Sequence, residues 1–153
     1  MARLAGRTLD AAGAPAPASV GLILADDGEL AALNATHMGE QRPTDVLSFP
    51  LLEPAAFPPH VGQSGVAQSA GAGFRLPPGR RIHLGDVVVS VERAVEQAKQ
   101  GRGGQTADVA WSAGEELALL VVHGLLHVCG WDHAEPAEEH AMRALERRIL
   151  ADR

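Results

Sequence analysis

Near the C-terminal end, the run His123-Gly124-Leu125-Leu126-His127-Val128-Cys129-Gly130-Trp131-Asp132-His133 leaves few backbone paths open if its histidines act together. His123 and His127 are four residues apart, so on a helix of 3.6 residues per turn they stand one above the other on one face. A continued helix would carry His133 roughly 15 Å further along the axis, at about 1.5 Å per residue. Zinc takes each ligand nitrogen at about 2.0–2.1 Å, so the three can share an ion only if the chain turns back. Gly130 stands where that turn is needed, because glycine accepts the left-handed conformation that closes many helices. Two helical histidines, a glycine stop and a third histidine describe a three-histidine metal site, His123, His127 and His133. The fourth position is left for water, as at catalytic rather than structural metal sites. The remaining histidines, His37, His60, His83 and His140, are read singly as ordinary hydrogen-bonded side chains.

The spacing matches the long zinc-protease motif H-E-x-x-H-x-x-G-x-x-H, with Gly124 where those enzymes carry the glutamate that acts as general base. The ligand geometry is kept, while ordinary zinc peptidase chemistry loses its proton acceptor. Cys129 lies two residues after His127, which on a helix points it away from the metal face. It is read as a small buried hydrophobe rather than a fourth ligand.

These residues also carry a family resemblance. H-G-L-L-H-V-C-G-W-D-H resembles the H-G-x-L-H-L-x-G-Y-D-H signature of the YbeY family of bacterial metal-dependent endoribonucleases, which act in ribosomal RNA maturation. Leu33-Asn34 followed by Arg42-Pro43-Thr44-Asp45-Val46-Leu47-Ser48-Phe49-Pro50 is similar to the family's L-N…K-P-T-D-V-L-S-F-P segment, and Leu84-Gly85-Asp86-Val87-Val88-Val89-Ser90 to its L-G-D-I-V-I-S strand. The blocks occur in family order from about Ser19 to the C-terminus. One departure matters. The family usually places an aromatic residue and then an arginine with an active-site role shortly after L-N, where this chain reads His37-Met38. Arg42, matching the family's lysine, is the candidate to take over phosphate contact, with Ser48 beside it. The strands Asp45–Phe49 and Leu84–Ser90 are expected to flank the metal cleft. Asp132, next to the third histidine, is a weak candidate for proton transfer and an equally good one for orienting a histidine or capping the turn.

Composition bounds the rest. At 153 residues the chain is read as one hydrolase domain, residues 1–153, large enough to bury a core without staples. A single cysteine excludes an internal disulfide. Met1–Arg7 has a positive start but no sustained apolar stretch after it, against a signal peptide, and the most apolar run, Leu117–Val122, is far too short to span a bilayer. A cytoplasmic location and no membrane partner are expected. The net charge of −6 counts against broad, nonspecific nucleic-acid binding, whose affinity comes from neutralised phosphates. The one sustained positive stretch, from Arg75 to Arg102, is read as a solvated face because only Phe74 is there to stack a base.

Along the chain, residues 1–18 are Ala/Gly/Pro-rich and expected to be poorly structured, with Pro15 and Pro17 breaking any helix. The resemblance implies an N-terminal strand and helix there. With about eighteen residues available, the helix is expected to be shortened and the strand absent, by a misplaced start or a true loss. Val20–Leu24 reads as a buried strand, Asp26 or Asp27 caps a helix to about Met38 stopped by Gly39, and Val46–Phe49 is a short strand. Residues 54–78 read as a flexible loop, Leu84–Ser90 as a strand and Val91–Gln100 as a helix. Ala107–Cys129 forms one or two helices, apolar nearly all round as in a buried central helix, and Pro136 opens a final helix. The fold class is α+β: a small mixed sheet packed with helices, one face covered by the central metal-binding helix.

The expected function is a zinc-dependent, single-strand-specific endoribonuclease of ribosomal RNA processing and ribosome maturation. It takes one zinc per chain, with ribosomal RNA precursors and the ribosome or its small subunit as partners, no DNA, and a monomeric state. Three neutral histidines leave the ion its full charge, which lowers the pKa of bound water from 15.7 toward about 7. Whether water or the RNA's own 2′-hydroxyl attacks phosphorus stays open. A metallopeptidase or other small-substrate hydrolase is the first alternative, weakened by Gly124. A non-catalytic ribosome-assembly factor with a structural metal is the second, encouraged by Met38.

Overall fold

The computed structural model describes residues 1–37, 39, 44–60, 79–100 and 111–151. Helix α1 (Ala2–Ala11) leads to strand β1 (Ala18–Ala25), helix α2 (Asp27–His37) and strand β2 (Val46–Pro50). A short 3-10 turn at Pro54–Ala56 precedes strand β3 (Ile82–Ser90), followed by helices α3 (Val91–Lys99), α4 (Ala113–Val128) and α5 (Pro136–Ala151). β3 is the middle strand, parallel to β1 and antiparallel to β2. This is the α+β architecture with a small mixed sheet that the sequence predicts.

The middle position explains the composition of β3. Leu84, Val87, Val88 and Val89 are buried, because a strand covered on both faces has no solvent side to make polar. Val87 and Val89 face a large cluster that includes α4, and Val88 joins Leu47, Ala25 and Leu30 of α2 on the opposite face. Helix α4 is apolar all round because it is enclosed by the sheet, α1, α3 and α5. Its start is fixed by a capping box: the Ser112 side chain accepts the Glu115 N–H, and the Glu115 carboxylate accepts the Ser112 N–H at 2.8 Å.

Where α4 crosses the sheet, Gly124 allows the approach. A Cβ there would lie 2.5 Å from Val87 Cγ1 and 2.9 Å from Val46 Cγ2, closer than side-chain atoms pack. The Ser48 hydroxyl donates to the Gly124 carbonyl at 3.0 Å, fastening β2 to the helix at the same level. The absence of glutamate at 124 is therefore a packing requirement of this fold.

Two expectations need correction. Residues 1–18 are not poorly structured, since 2–11 form α1. Proline breaks a helix by clashing with the carbonyl four residues earlier, so Pro15 ends the helix at Ala11 instead of preventing it. Leu4 and Thr8 are buried on its inner face and Ala12 just past its end, and α1 packs on α4 and α5. The second concerns the expected 54–78 loop: its described start is anchored, with Phe57 buried in the main core. Residues 61–78 lie outside the described residues, as do Met38 and Arg42 and the 107–110 start of the expected 107–129 helix.

Candidate metal centre

The last turn of α4 builds the site. Gly130 takes φ +81°, its N–H bonds the His127 carbonyl and the Trp131 N–H bonds the Leu126 carbonyl, each at 3.0 Å. These are the two bonds of a Schellman closure, and they send Trp131, Asp132 and His133 back toward the helix face already carrying His123 and His127. A side chain at 130 would also press on Pro54 and Phe57. The Asp132 carboxylate accepts the His133 N–H at 2.8 Å, holding the returning segment in its turn.

The three rings meet. Ring centroids are 4.6 Å apart for His123–His127, 5.4 Å for His123–His133 and 5.0 Å for His127–His133, and one nitrogen of each lies within 4.8 Å of the others. Nε2 of His123 and Nε2 of His127 are 3.1 Å apart. Two nitrogens bound tetrahedrally to one zinc stand about 3.3 Å apart by the same bond lengths, so the His123–His127 pair is spaced for a single ion, with His133 close by. The far nitrogens of this i, i+4 pair are the ones that face each other.

The chemistry of the donors agrees. Burial holds the His127 pKa down, from 6.5 to about 4, with the neighbouring His123 and His133 adding to the fall. A ligand must be neutral to offer its lone pair, and His127 is neutral throughout the physiological range. Behind His123, the Glu146 carboxylate accepts from Nδ1 at 2.8 Å. That bond fixes the tautomer that presents Nε2 to the cluster, the usual second partner of a metal-bound histidine.

Sequence reasoning missed Glu146. The signal was faint: it sits on the face of α5 that buries Met142, Leu145, Ile149 and Leu150, where a carboxylate is out of place without a partner. Cys129 is fully buried and burial pushes its thiol up to about 12. It takes no part in the cluster of possible ligands.

Two cavities share His123 and His133. The larger, about 750 Å³, is bounded by Thr44–Ser48 and Pro50 of the β2 segment and by Trp131, Asp132 and all three histidines. The smaller, about 290 Å³, lies between His123, His133 and the face of α5 carrying Glu139, Arg143 and Glu146. Ser48 thus lies on the cleft, as predicted, but its hydrogen is already given to Gly124, and a phosphate contact requires that bond to be released. The expectation that Leu84–Ser90 flanks the cleft is corrected. β3 is the middle strand, and among the described residues none of it lines either cavity.

Fold and site together define an α+β protein with a three-histidine cluster that could hold a metal ion, open to a cleft beside the sheet's edge strand. Residues 2–153 match the family model described as Endoribonuclease YbeY, and the chain belongs to that family. A relative of that name from Symbiobacterium thermophilum is 39% identical over 151 residues, spanning 97% of this chain and 81% of the relative. Another, from Salinispora tropica, is 40% identical over 148 residues, spanning 97% and 82%. The solution structure of TM1509 from Thermotoga maritima superposes with a TM-score of 0.54 at 20% identity, covering 99% of this chain and 81% of that one. That likeness is one of fold.

Proposed function

We propose that the chain is a single-domain, zinc-dependent endoribonuclease that cuts single-stranded RNA in ribosomal RNA processing and ribosome maturation. The observation that carries this reading is the convergence of His123, His127 and His133 on one point at the wall of an open cleft, in a chain whose relatives are named endoribonucleases. Zinc is favoured because the donors are three imidazole nitrogens, which suit it better than the oxygen-seeking magnesium or calcium. A metal ion bound there supplies Lewis acidity, polarising a phosphoryl oxygen and acidifying water.

The chain's own residues do the rest. Glu146 holds His123 in one tautomer, and Asp132 fixes the approach of His133 through its backbone. We assign Asp132 this orienting role, ahead of proton transfer. Trp131, stacked face to face on His60 with ring centroids 4.1 Å apart, and the β2 segment wall the cleft, giving an unpaired strand the remaining aromatic surface and a strip of backbone to lie against. Single strands are favoured because they offer bases free to stack. The partners that follow are ribosomal RNA precursors and the ribosome or its small subunit, in the cytoplasm.

The peptidase alternative is disfavoured by geometry. A Cβ at position 124 would already lie 2.5 Å from Val87 Cγ1 and 2.9 Å from Val46 Cγ2, so the glutamate of zinc peptidases would have to push both strands' side chains aside. Purified protein given a single-stranded RNA and a denatured polypeptide side by side, each with and without chelator, tests the reading. It predicts chelator-sensitive RNA cleavage and an intact polypeptide. Chelator-sensitive proteolysis, or RNA left whole by metal-loaded protein, contradicts it.

A further inference from the structure

The smaller cavity, on the α5 side of the histidines, has no role so far. Its far wall is a stripe of α5: Glu139, Arg143 and Glu146 follow one another at i, i+4 and i+7, with Met142 beneath, a spacing that aligns them on one helix face. Glu146 is committed to His123. Among the described residues Arg143 is paired with Glu139 alone, at 2.6 Å, and both side chains are about two-fifths exposed. Exposed i, i+4 pairs of this kind hold weakly, so the guanidinium is oriented along the cavity wall but free to exchange its partner.

The charge balance makes this residue stand out. Among the described residues lining either cavity, Arg143 is the one lysine or arginine, while Asp45, Asp132, Glu138, Glu139 and Glu146 are acidic. The β2-side cavity carries Asp45, Asp132 and Glu138 and no cation among its described lining residues, whereas in the α5-side cavity Arg143 stands beside Glu139 and Glu146, so the attraction a polyanion meets along these walls is at Arg143. A planar guanidinium matches two oxygens of a phosphate at once, which an ammonium does not. His123 and His133 belong to both cavities, so a strand with its scissile phosphate at the histidines extends into each.

We propose that Arg143 binds a backbone phosphate of the substrate strand next to the scissile one, exchanging Glu139 for that phosphate and placing the strand across the metal site toward α5. This rests on the reading of the protein as an RNA-cutting enzyme. It assigns a phosphate contact to α5, in addition to the Arg42 position that the sequence suggests.

The test is steady-state cleavage of a single-stranded RNA oligonucleotide by zinc-loaded protein, comparing wild type with Arg143→Ala, Arg143→Lys and Arg147→Ala. Arg147 is exposed on the same helix and lines neither cavity, so its variant controls for general loss of charge. Arg143→Ala should raise KM about tenfold, the size of a charge-assisted contact. It should leave kcat within about twofold and metal content unchanged, and flatten the salt dependence of RNA binding by roughly one phosphate's worth. Arg143→Lys should recover part of the loss, and Arg147→Ala should behave as wild type. A wild-type enzyme that cleaves RNA, with Arg143→Ala matching it in KM and salt dependence, overturns this assignment alone. Equal losses in Arg143→Ala and Arg147→Ala also overturn it, in favour of a nonspecific charge effect. A wild type inert toward RNA overturns the function itself, and the assignment with it.

Discussion

The Glu146 carboxylate, 5% exposed, lies 2.8 Å from Nδ1 of His123, 23 residues earlier in the chain. It ties α5 to α4 at the first of the three histidines proposed to hold the metal. Replacing such a partner typically lowers metal affinity about 10–100-fold. Glu146→Gln keeps an oxygen acceptor but loses the charge, so it should fall near the mild end of that range, and Glu146→Ala near the severe end. Zinc titration against a competing chelator measures both, and unchanged affinity in Glu146→Ala would show that the bond does not serve the site.

Gly124→Ala tests why the zinc-peptidase glutamate is missing. Alanine is the better helix former by about 1 kcal/mol, but its methyl group must fit 2.5 Å from Val87 Cγ1 and 3.2 Å from the Ser48 hydroxyl. Overpacking of this kind costs about 1–3 kcal/mol, so a net loss is expected in urea unfolding. Gly124→Glu should fail to yield folded protein, and should give no peptidase. A stable, proteolytic Gly124→Glu variant would refute the packing account.

Much of this site was legible because its geometry is local. The i, i+4 histidines and Gly130 lie within eleven residues, and backbone stereochemistry alone dictates how they can meet. The strands β1, β2 and β3 were readable for a similar reason, since their apolar runs are bounded by charges, prolines and caps. Glu146 was not legible: its importance arises only when α5 docks on α4, and in the sequence it is one glutamate among several on a charged helix. Helix α1 was obscured by reading Pro15 and Pro17 backward along the chain. What stabilises it is burial of Leu4 and Thr8 against later helices, a tertiary effect that composition does not display. The placement of β3 beside the cleft failed because strand order is not written in any single strand.

The pH dependence of the metal-free protein follows from His127. Its folded-state pKa of about 4 lies below the 6.5 of the free group, so as pH falls the unfolded chain binds the proton first. Stability from this group is full above about 6.5, is lost progressively toward 4, and levels off below. Urea midpoints of the metal-free wild type should therefore drop between about pH 7 and about pH 4.5 more steeply than those of His127→Gln, which lacks the titrating group. Parallel curves would contradict the burial of an uncharged His127.

Cys129 should be chemically silent in the native state. With the thiol fully buried and its pKa pushed up to about 12, almost no thiolate exists at neutral pH, and thiolate is the reactive form. A thiol reagent should label it only after denaturation, and Cys129→Ala should bind zinc as wild type does. Rapid native labelling, or lost zinc in the variant, would place the sulfur at the site after all.

The most direct test of the account is to strip the metal, return zinc in measured steps, and follow cleavage of single-stranded RNA at each step beside His127→Ala. The account predicts no cleavage at the start, a rise in proportion to added zinc, a plateau at one zinc per chain, and no recovery in the variant. Full cleavage by metal-free protein, or a His127→Ala variant that recovers with the same stoichiometry, would contradict it.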